Sequence, residues 1–329
     1  MKLIKFFSLC VIAVGGFSIP FANYHLALAG DVYPSKPIRI VIGYGPGGVA
    51  DITARMVAQK MSDSMGQQVI VDNRPSAGGI VAGETVVKAD PDGYTLLHMN
   101  YGNAVSAAIF KKMPYDIKSD FEPVSPMGFF DVAVLVDESS DIKTLQDLIL
   151  KAKANRKSIN VGSVSIGSGQ NMAANLFKSM TGLPIEIIPY KETSSLFMAL
   201  RSKDIDAAFE VISPAMPFIK SGKLRALAIS SSKRFNGLPL IPTLNESGVK
   251  GYEVIAWNGI AVPARTPKAI IERLNKEVNA ALAQPDVIAK FQELGIEARG
   301  GTPEDLRTTL AAEVVKWNNL VSTMKMEKQ

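Results

Sequence analysis

Segments typical of buried strands alternate with segments typical of helices along almost the whole chain. Ile38–Ile42 is apolar at every position except Arg39, as expected for a parallel strand that is covered on both faces. The apolar residues after it recur at helical spacing, and Gly66 is placed to end that helix. Alternation of this kind predicts an α/β fold with mainly parallel sheets flanked by helices.

The same pattern predicts the remaining elements. Further strands are expected at Val69–Val71, Thr95–Met99, Ile159–Gly162, Ile185–Ile188, Ala207–Glu210 and Leu224–Ile229. Helices are expected at Ile80–Lys88, at Gln170–Thr181, Ser194–Ser202 and Pro214–Ser221, and from Thr144, paired with Asp147 in a capping box, to Ala154. Two terminal helices should begin at Thr266-Pro267 and Thr302-Pro303, each with a cap before a proline.

No repeat or flexible linker interrupts the chain, so two lobes joined by strands are expected rather than two tethered domains. The extended, β-branched segments Val132–Val136 and Val254–Ile260 are the predicted crossings. Residues 30–133 plus 255–329 would then form the first lobe, and residues 134–254 the second.

Residues 1–29 have the features of a secretory signal peptide. Lys2 and Lys5 form a charged start, Phe6–Phe21 is apolar, and Ala27-Leu28-Ala29 is a cleavage site. A membrane anchor is the weaker interpretation, because glycines and Pro20 break the apolar run and a membrane span needs about 20 apolar residues. The segment therefore predicts that the chain is exported.

The composition excludes several classes of function. Cys10 is the only cysteine of the chain and would leave with the signal peptide, so neither a disulfide nor a cysteine nucleophile is expected. The formal net charge of +5 is mild and forms no basic block, which argues against nucleic acid as a partner. His98 is the one histidine outside the signal segment, so no two-histidine metal motif exists, and no metal or cofactor is expected.

A glycine-rich turn follows the first strand. Gly43–Gly48 matches the dinucleotide motif G-x-G-x-x-G, and Asp72 ends the next strand, but an exported chain is a poor candidate for a nicotinamide cofactor. Pro46 also removes a hydrogen-bond donor from the turn. The favoured interpretation is that backbone N–H groups of Gly47, Gly48 and Val49 at a helix N-terminus bind a carboxylate. A tight turn without a ligand is the alternative, and Asp51 could be only a helix cap.

Similar turns occur elsewhere in the chain. Asn73–Gly79 follows the second strand, and the serine-rich segment Gly162–Asn171 joins a strand to a helix in the second lobe. Hydroxyl groups of Ser163, Ser165 and Ser168 could donate or accept hydrogen bonds, although Ser168 could serve only as a cap. Glu210 ends a strand before Ser213-Pro214 and would point into the same region, or pair with a lysine.

The chain resembles a known family over essentially its whole mature length. The segments that carry the resemblance are Pro46-Gly47-Gly48-Val49-Ala50-Asp51-Ile52-Thr53-Ala54-Arg55, Asn73-Arg74-Pro75 with Ala77-Gly78-Gly79, Asp92-Gly93-Tyr94-Thr95-Leu96-Leu97, Pro189-Tyr190-Lys191 and Trp257-Asn258-Gly259. Together they resemble the substrate-binding proteins of tripartite tricarboxylate transporters, the Bug proteins.

The resemblance implies a type II periplasmic-binding-protein fold that closes on a small organic acid and delivers it to a transporter with one large and one small integral membrane subunit. It implies that the ligand carboxylate lies on the first turn, is met by Ala77–Gly79, and is enclosed by the loop Asn100–Asn103 and by the serine-rich turn. Tyr101 could stack on an aromatic acid. The predicted ligand-binding residues are Tyr44, Pro46, Gly47, Gly48, Val49, Asp51, Ala77, Gly78, Asn100, Tyr101, Asn103, Ser163, Ser165, Ser168, Gly169, Lys191 and Glu210.

Three positions depart from the family pattern. Asn171 stands where a histidine is frequent, Glu192 replaces the glycine of P-Y-K-G, and Glu210 replaces a common aspartate. These departures bear on which acid is bound. Two other functions remain open from the sequence: a ligand-sensing subunit of a membrane receptor, and an exported serine hydrolase built on Ser168 and His98. No catalytic residue is predicted for the favoured function.

Overall fold

The computed structural model describes residues 33–154, 159–164, 166 and 168–328. The predicted signal peptide and Ser165 lie outside the described residues. The strands are β1 (Ile38–Ile42), β2 (Val69–Asn73), β3 (Thr95–Asn100), β4 (Phe121–Asp137), β5 (Ile159–Val164), β6 (Ile185–Tyr190), β7 (Ala207–Val211), β8 (Leu224–Ile229), β9 (Ile255–Pro263) and β10 (Ile296–Ala298).

Helices lie between most of these strands, and a short 3₁₀ turn at Ala77–Gly79 precedes the second helix. The helices are α1 (Val49–Met65), α2 (Ile80–Val87), α3 (Tyr101–Ile109), α4 (Leu145–Ala154), α5 (Gly169–Thr181), α6 (Thr193–Ser202), α7 (Ile212–Lys220), α8 (Lys268–Leu282), α9 (Pro285–Glu293) and α10 (Pro303–Thr323).

The sheet is mixed rather than mainly parallel. Its order is β2-β1-β3-β9-β4-β7-β5-β6, with β8 and β10 also paired to β4. The pairs β1–β2, β1–β3, β5–β6 and β5–β7 are parallel, and every pair that involves β4 or β9 is antiparallel. The parallel α/β prediction is therefore confirmed toward both ends of the sheet, and the antiparallel centre was not predicted.

The long strand β4 connects two groups of strands. Its residues Phe121–Asp131 pair with β9, whereas Val132–Asp137 pair with β7 and β8. We call β1, β2, β3, β9 and β10 the first strand group, and β5, β6, β7 and β8 the second. This arrangement is the two-lobed α/β fold that was expected, and the exact lobe boundaries remain a prediction.

The burial of apolar side chains explains why β1 and α1 form where they do. Ile38, Ile40, Val41 and Ile42 of β1 are fully buried, as their apolar character predicted. Helix α1 turns its apolar stripe inward and ends at Gly66, whose φ of 67° lies in the left-handed region.

The predicted helix starts fared differently. At the start of α4, the backbone N–H of Thr144 donates to Asp147 Oδ2, and the backbone N–H of Asp147 donates to Thr144 Oγ1. Thr302 caps α10, with Pro303 in the first turn of that helix. The prediction for α8 was wrong, because Pro267 rather than Thr266 is its N-cap and the helix begins at Lys268. Helix α1 begins at Val49, and Asp51 lies in its first turn rather than at its N-cap, which is Gly48.

Candidate functional site

A cavity of about 610 Å³ lies between the two strand groups. Its walls come from segments that follow the carboxyl ends of β1, β3, β5, β6 and β7, where helices α1, α3, α5, α6 and α7 begin. Helix N-termini carry backbone N–H groups without intrahelical partners and a partial positive charge, so their convergence favours an anionic ligand. The described lining residues are Tyr44, Gly47, Gly48, Val49, Ala50, Ile52, Ser76, Gly78, Asn100, Tyr101, Gly102, Ile109, Phe110, Phe130, Val164, Ile166, Ser168, Gly169, Gln170, Lys191, Glu192, Thr193, Glu210, Val211, Ser213, Pro214, Asn258 and Leu294.

The first turn presents backbone donors to the cavity, but fewer than predicted. The N–H group of Gly47 donates to Asp51 Oδ2 at 2.9 Å, so it is already committed within the protein. The N–H groups of Gly48, Val49 and Ala50 have no acceptor among the described residues. The predicted cradle of Gly47, Gly48 and Val49 is therefore corrected to Gly48, Val49 and Ala50.

Asp51 holds this turn from beneath and does not line the cavity. Its buried carboxylate accepts hydrogen bonds from Gly47 N–H, from Arg55 Nε at 3.0 Å and from Asn73 Nδ2 at 2.9 Å. Burial acts to raise the pKa of Asp51, and these hydrogen bonds outweigh it and hold the pKa below its ordinary value. Asp51 therefore positions the turn rather than contacting a ligand in the cavity.

The second turn approaches the first at very short range. A Cβ atom on Gly43 would lie 2.6 Å from Gly79 Cα, which explains why glycine is required where the two turns meet. Ser76 and Gly78 line the cavity on either side of Ala77, which belongs to the 3₁₀ turn. Pro46 is not among the described lining residues.

Asn100–Asn103 forms the start of α3 and not a loop, which corrects the expectation from the resemblance. Asn100 Oδ1 accepts from Gly102 N–H, and Asn103 Oδ1 accepts from Asn100 N–H, each at 2.8 Å. Tyr44 donates its hydroxyl proton to Asn100 Oδ1 at 3.2 Å. Asn100 and Tyr44 line the cavity, whereas Asn103 completes the capping box and does not.

The described serine hydroxyls of the serine-rich turn form hydrogen bonds with the turn itself and with the start of α5. Ser168 Oγ donates to Val164 O at 2.6 Å and accepts from Asn171 N–H at 3.1 Å, so it caps α5 while also lining the cavity. Ser163 is fully buried, accepts from Asn171 Nδ2 at 2.9 Å and does not line the cavity. The predicted role of Ser163 in ligand contact is therefore corrected to a structural one.

Tyr101 and α5 are in direct contact across the cavity. A Cβ atom on Gly169 would lie 1.6 Å from the Tyr101 ring, so the ring rests directly on the glycine backbone. The Tyr101 hydroxyl donates to Gln170 Oε1 at 3.0 Å. Burial raises the pKa of Tyr101 well above its ordinary value, so the phenol is protonated and can serve as this donor.

Glu210 is a buried carboxylate that accepts hydrogen bonds from three donors. It accepts from Gln170 Nε2 and from its neighbour Val211 N–H, each at 2.8 Å, and from the Thr193 hydroxyl at 3.0 Å. No lysine or arginine in the described part of the chain forms an ion pair with it. Burial raises the pKa of Glu210, and the three hydrogen bonds oppose that rise.

Six polar residues of the described lining were not predicted as ligand contacts: Ser76, Gln170, Glu192, Thr193, Ser213 and Asn258. Gln170 and Thr193 each lie in the first turn of a helix that begins after a strand, a position that could have identified them. Ser213 lines the cavity, and its buried Oγ has no hydrogen-bond partner among the described residues. Leu294 reaches the cavity from the end of α9, and no local sequence signal marked it.

The described residues do not form the arrangements that a serine hydrolase or a metal site would need. His98 is buried outside the cavity lining, and neither of its ring nitrogens has a hydrogen-bond partner in the described part of the chain, so it forms no pair with Ser168. Within residues 33–154, 159–164, 166 and 168–328, no cluster of three or more histidine, cysteine or acidic side chains is arranged to hold a metal. Across those same ranges, each helix is either too short or too polar to cross a membrane.

Comparisons with known proteins identify the family to which the chain belongs. Residues 53–326 match the family described as the tripartite tricarboxylate transporter family receptor. The chain is 32% identical to the protein BugT of Bordetella pertussis, with 94% of this chain and 96% of BugT covered. This chain belongs to the tripartite tricarboxylate transporter receptor family, whose members include the Bug proteins.

Solved structures give the same result. The structure of Rpa4515 from R. palustris with adipate is 30% identical, with a TM-score of 0.80 over 88% of this chain and 98% of that one. The periplasmic binding protein BugD is also 30% identical, with a TM-score of 0.79 over 90% of this chain and 100% of that one. The fold is therefore that of the periplasmic binding proteins, and its relatives are solute-binding proteins.

Proposed function

We propose that this protein is a periplasmic solute-binding protein that captures a small organic acid and carries out no chemistry on it. The observation that carries the proposal is the first turn of α1, where the N–H groups of Gly48, Val49 and Ala50 are uncommitted, among the described residues, at the wall of the cavity. A carboxylate placed there would accept charge-assisted hydrogen bonds, each contributing about 1.5–3 kcal/mol net. Two or three such bonds supply much of the about −8 kcal/mol of micromolar binding.

The relatives support a carboxylate as the ligand. Rpa4515 has a solved structure with adipate, an organic acid, and it shares the fold at 30% identity. The family description supports delivery to a tripartite transporter, whose integral partners we infer to be one large and one small membrane subunit. The predicted signal peptide supports export to the periplasm.

The remaining predicted contacts belong to this proposal. Tyr44, Gly78, Asn100, Tyr101, Ser168, Gly169, Lys191 and Glu210 line the same cavity and are the predicted residues that we propose enclose the ligand. Lys191 is exposed, lines the cavity, and forms no ion pair with any described acidic residue, so it can attract an anion toward the opening.

A thermal-shift screen of small organic acids on the purified protein tests the proposal. A ligand at 100 times its dissociation constant should stabilise the fold by about 2.7 kcal/mol. We expect Gly48→Val to abolish that shift, because the new side chain projects from the backbone that should approach the carboxylate. The fold should survive, since a Cβ atom on Gly48 meets only Gly45 O, at 4.0 Å.

Gly45→Val is the matched control. Gly45 lies in the same turn and does not line the cavity, and a Cβ atom at this position would meet no heavy atom of the described residues within 4 Å. This control should bind the acid as the wild type does. Equal affinity of Gly48→Val and wild type, or no stabilisation by any acid, would contradict the proposed function.

A further inference from the structure

Ser213 carries a polar atom that the protein itself does not use. It is the second residue of α7, it lines the cavity, and only 6% of the residue is exposed. Its Oγ has no hydrogen-bond partner among the described residues. An unpaired buried hydroxyl is energetically unfavourable, so such a group beside a cavity indicates a partner supplied from outside the chain.

The carboxylate of Glu210 lies where three helices, α5, α6 and α7, begin. Glu210 accepts one hydrogen bond from Gln170 of α5, one from Thr193 of α6, and one from Val211, the N-cap of α7. The partial positive charges of these N-termini are therefore met by an internal anion. The N-terminus of α1 differs, because its N–H groups at Gly48, Val49 and Ala50 are uncommitted within the described structure.

The charged residues of the cavity lining also indicate that the group bound at Ser213 is uncharged. Among the described lining residues Lys191 is the one cation, whereas Glu192 and Glu210 are both acidic. A second carboxylate on the ligand, placed at Ser213, would share the cavity with the buried Glu210, which precedes Ser213 by three residues in the chain, and the described lining offers no additional cation to neutralise it. Like charges at close range in a buried site repel strongly, so this end of the cavity favours an uncharged group.

Apolar side chains also line the cavity. Ile109, Phe110, Phe130 and Leu294 line the cavity and belong to elements other than α1 and α7. In the sheet, β1 and β7 are separated by β3, β9 and β4, so the helices that follow them enter the cavity from different strand groups. A ligand that reaches both helix N-termini therefore needs an apolar body between its polar ends.

We propose that Ser213 is a specificity-determining residue that binds an uncharged hydroxyl group at the far end of a ligand with a single carboxylate and an apolar body. This inference rests on the proposed function, because it assigns the carboxylate to the first turn of α1. A serine hydroxyl both donates and accepts, so it matches a ligand hydroxyl.

Two matched series of acids test the inference by calorimetry or thermal shift. The straight-chain series is hexanoate, omega-hydroxyhexanoate and adipate, and the aromatic series is para-toluate, para-hydroxymethylbenzoate and terephthalate. We expect the hydroxy acid of at least one series to bind about tenfold tighter than its unsubstituted partner, the factor for one hydrogen bond, and tighter than its dicarboxylate. Ser213→Ala should remove that advantage and leave the affinity for the unsubstituted acid unchanged.

Ser221→Ala provides the control at the opposite end of the same helix, where the serine is exposed and its hydroxyl donates to Phe218 O. It should keep the preference for the hydroxy acid. If acids bind but the hydroxyl gives no advantage, or the dicarboxylates bind tightest, the assignment of Ser213 is overturned and the proposed function stands. If no acid of either series binds the wild type, the assignment fails together with its carboxylate site.

Discussion

Two buried carboxylates near the cavity show how a single side chain acquires its role from its neighbours. Asp51 is met by the Arg55 guanidinium, which neutralises its charge and lets it hold the first turn in place. Glu210 has three neutral donors and no cation among the described residues, so its charge influences what can be bound beside it. Both are acids at the start of a helix or the end of a strand, and the sequence does not distinguish them.

His98 should make the stability of the protein depend on pH. Burial lowers its pKa to about 4, whereas an unfolded histidine titrates near 6.5. Between these values the unfolded chain binds a proton that the folded chain does not, so the free energy of unfolding falls as the pH is lowered. The full loss amounts to about 3 kcal/mol at pH values below about 4.

Urea unfolding of wild type and His98→Leu, between about pH 7 and about pH 4.5, measures this effect. The variant should lose less stability on acidification than the wild type. Asp131, whose pKa burial raises to about 6, acts in the opposite direction in both proteins, so the difference between them isolates His98. Identical pH dependence in the two proteins would contradict this role, and ligand affinity at neutral pH should be unchanged.

At the level of elements, several helix N-termini meet at the cavity, and polar side chains hold three of them in place. Asn100 and Asn103 cap α3, Ser168 caps α5, and Asp51 closes back onto the turn before α1. Capping commits polar side chains that would otherwise be available to a ligand. This is why the predicted site residues divide into those that face the cavity and those that shape its walls.

The contact between α3 and α5 gives a prediction at this scale. Gly169→Ala would place a Cβ atom 1.6 Å from the Tyr101 ring, so the helices must separate or the ring must move. Overpacking of this kind costs about 1–3 kcal/mol, although the helix propensity of alanine alone predicts a gain. Denaturant unfolding should show a loss, and Tyr101→Leu in the same chain should recover part of it.

A double-mutant cycle distinguishes steric conflict from a backbone effect. If Gly169→Ala destabilises the protein equally with Tyr101 and with Leu at position 101, the ring contact is not the cause. If the substitution stabilises the protein, the expected steric conflict between the new side chain and the Tyr101 ring does not occur, and the prediction is wrong. The Tyr101→Leu variant alone supplies the reference for the lost hydroxyl bond to Gln170.

On the scale of the whole molecule, β4 makes the two strand groups depend on each other. Its residues pair with β9 on one side of Asp131 and with β7 and β8 on the other. One continuous apolar core contains residues of both groups, such as Val41, Val161 and Phe209. We therefore expect the groups to unfold together in a single cooperative transition.

The two tryptophans of the chain make this testable. Trp257 lies in β9 and Trp317 in α10, and both are buried, so their fluorescence reports on the side of the first strand group. Far-UV circular dichroism reports on both groups. The two signals should give one coincident midpoint in urea, and a separate earlier or later transition by circular dichroism would show that the groups unfold independently.

The amino-acid sequence by itself determined the alternation of strands and helices, the glycine turns and most caps, because these depend on neighbours within a few residues. β1, α1 and the cap at Thr302 are examples. Tertiary structure decided what local sequence does not encode: the antiparallel pairing of β4 and β9, the commitment of Gly47 N–H to Asp51, and the hydroxyl of Ser213 left unpaired by the described residues. Whether a donor is free depends on which distant groups packing brings within about 3 Å of it, and only the folded chain fixes that.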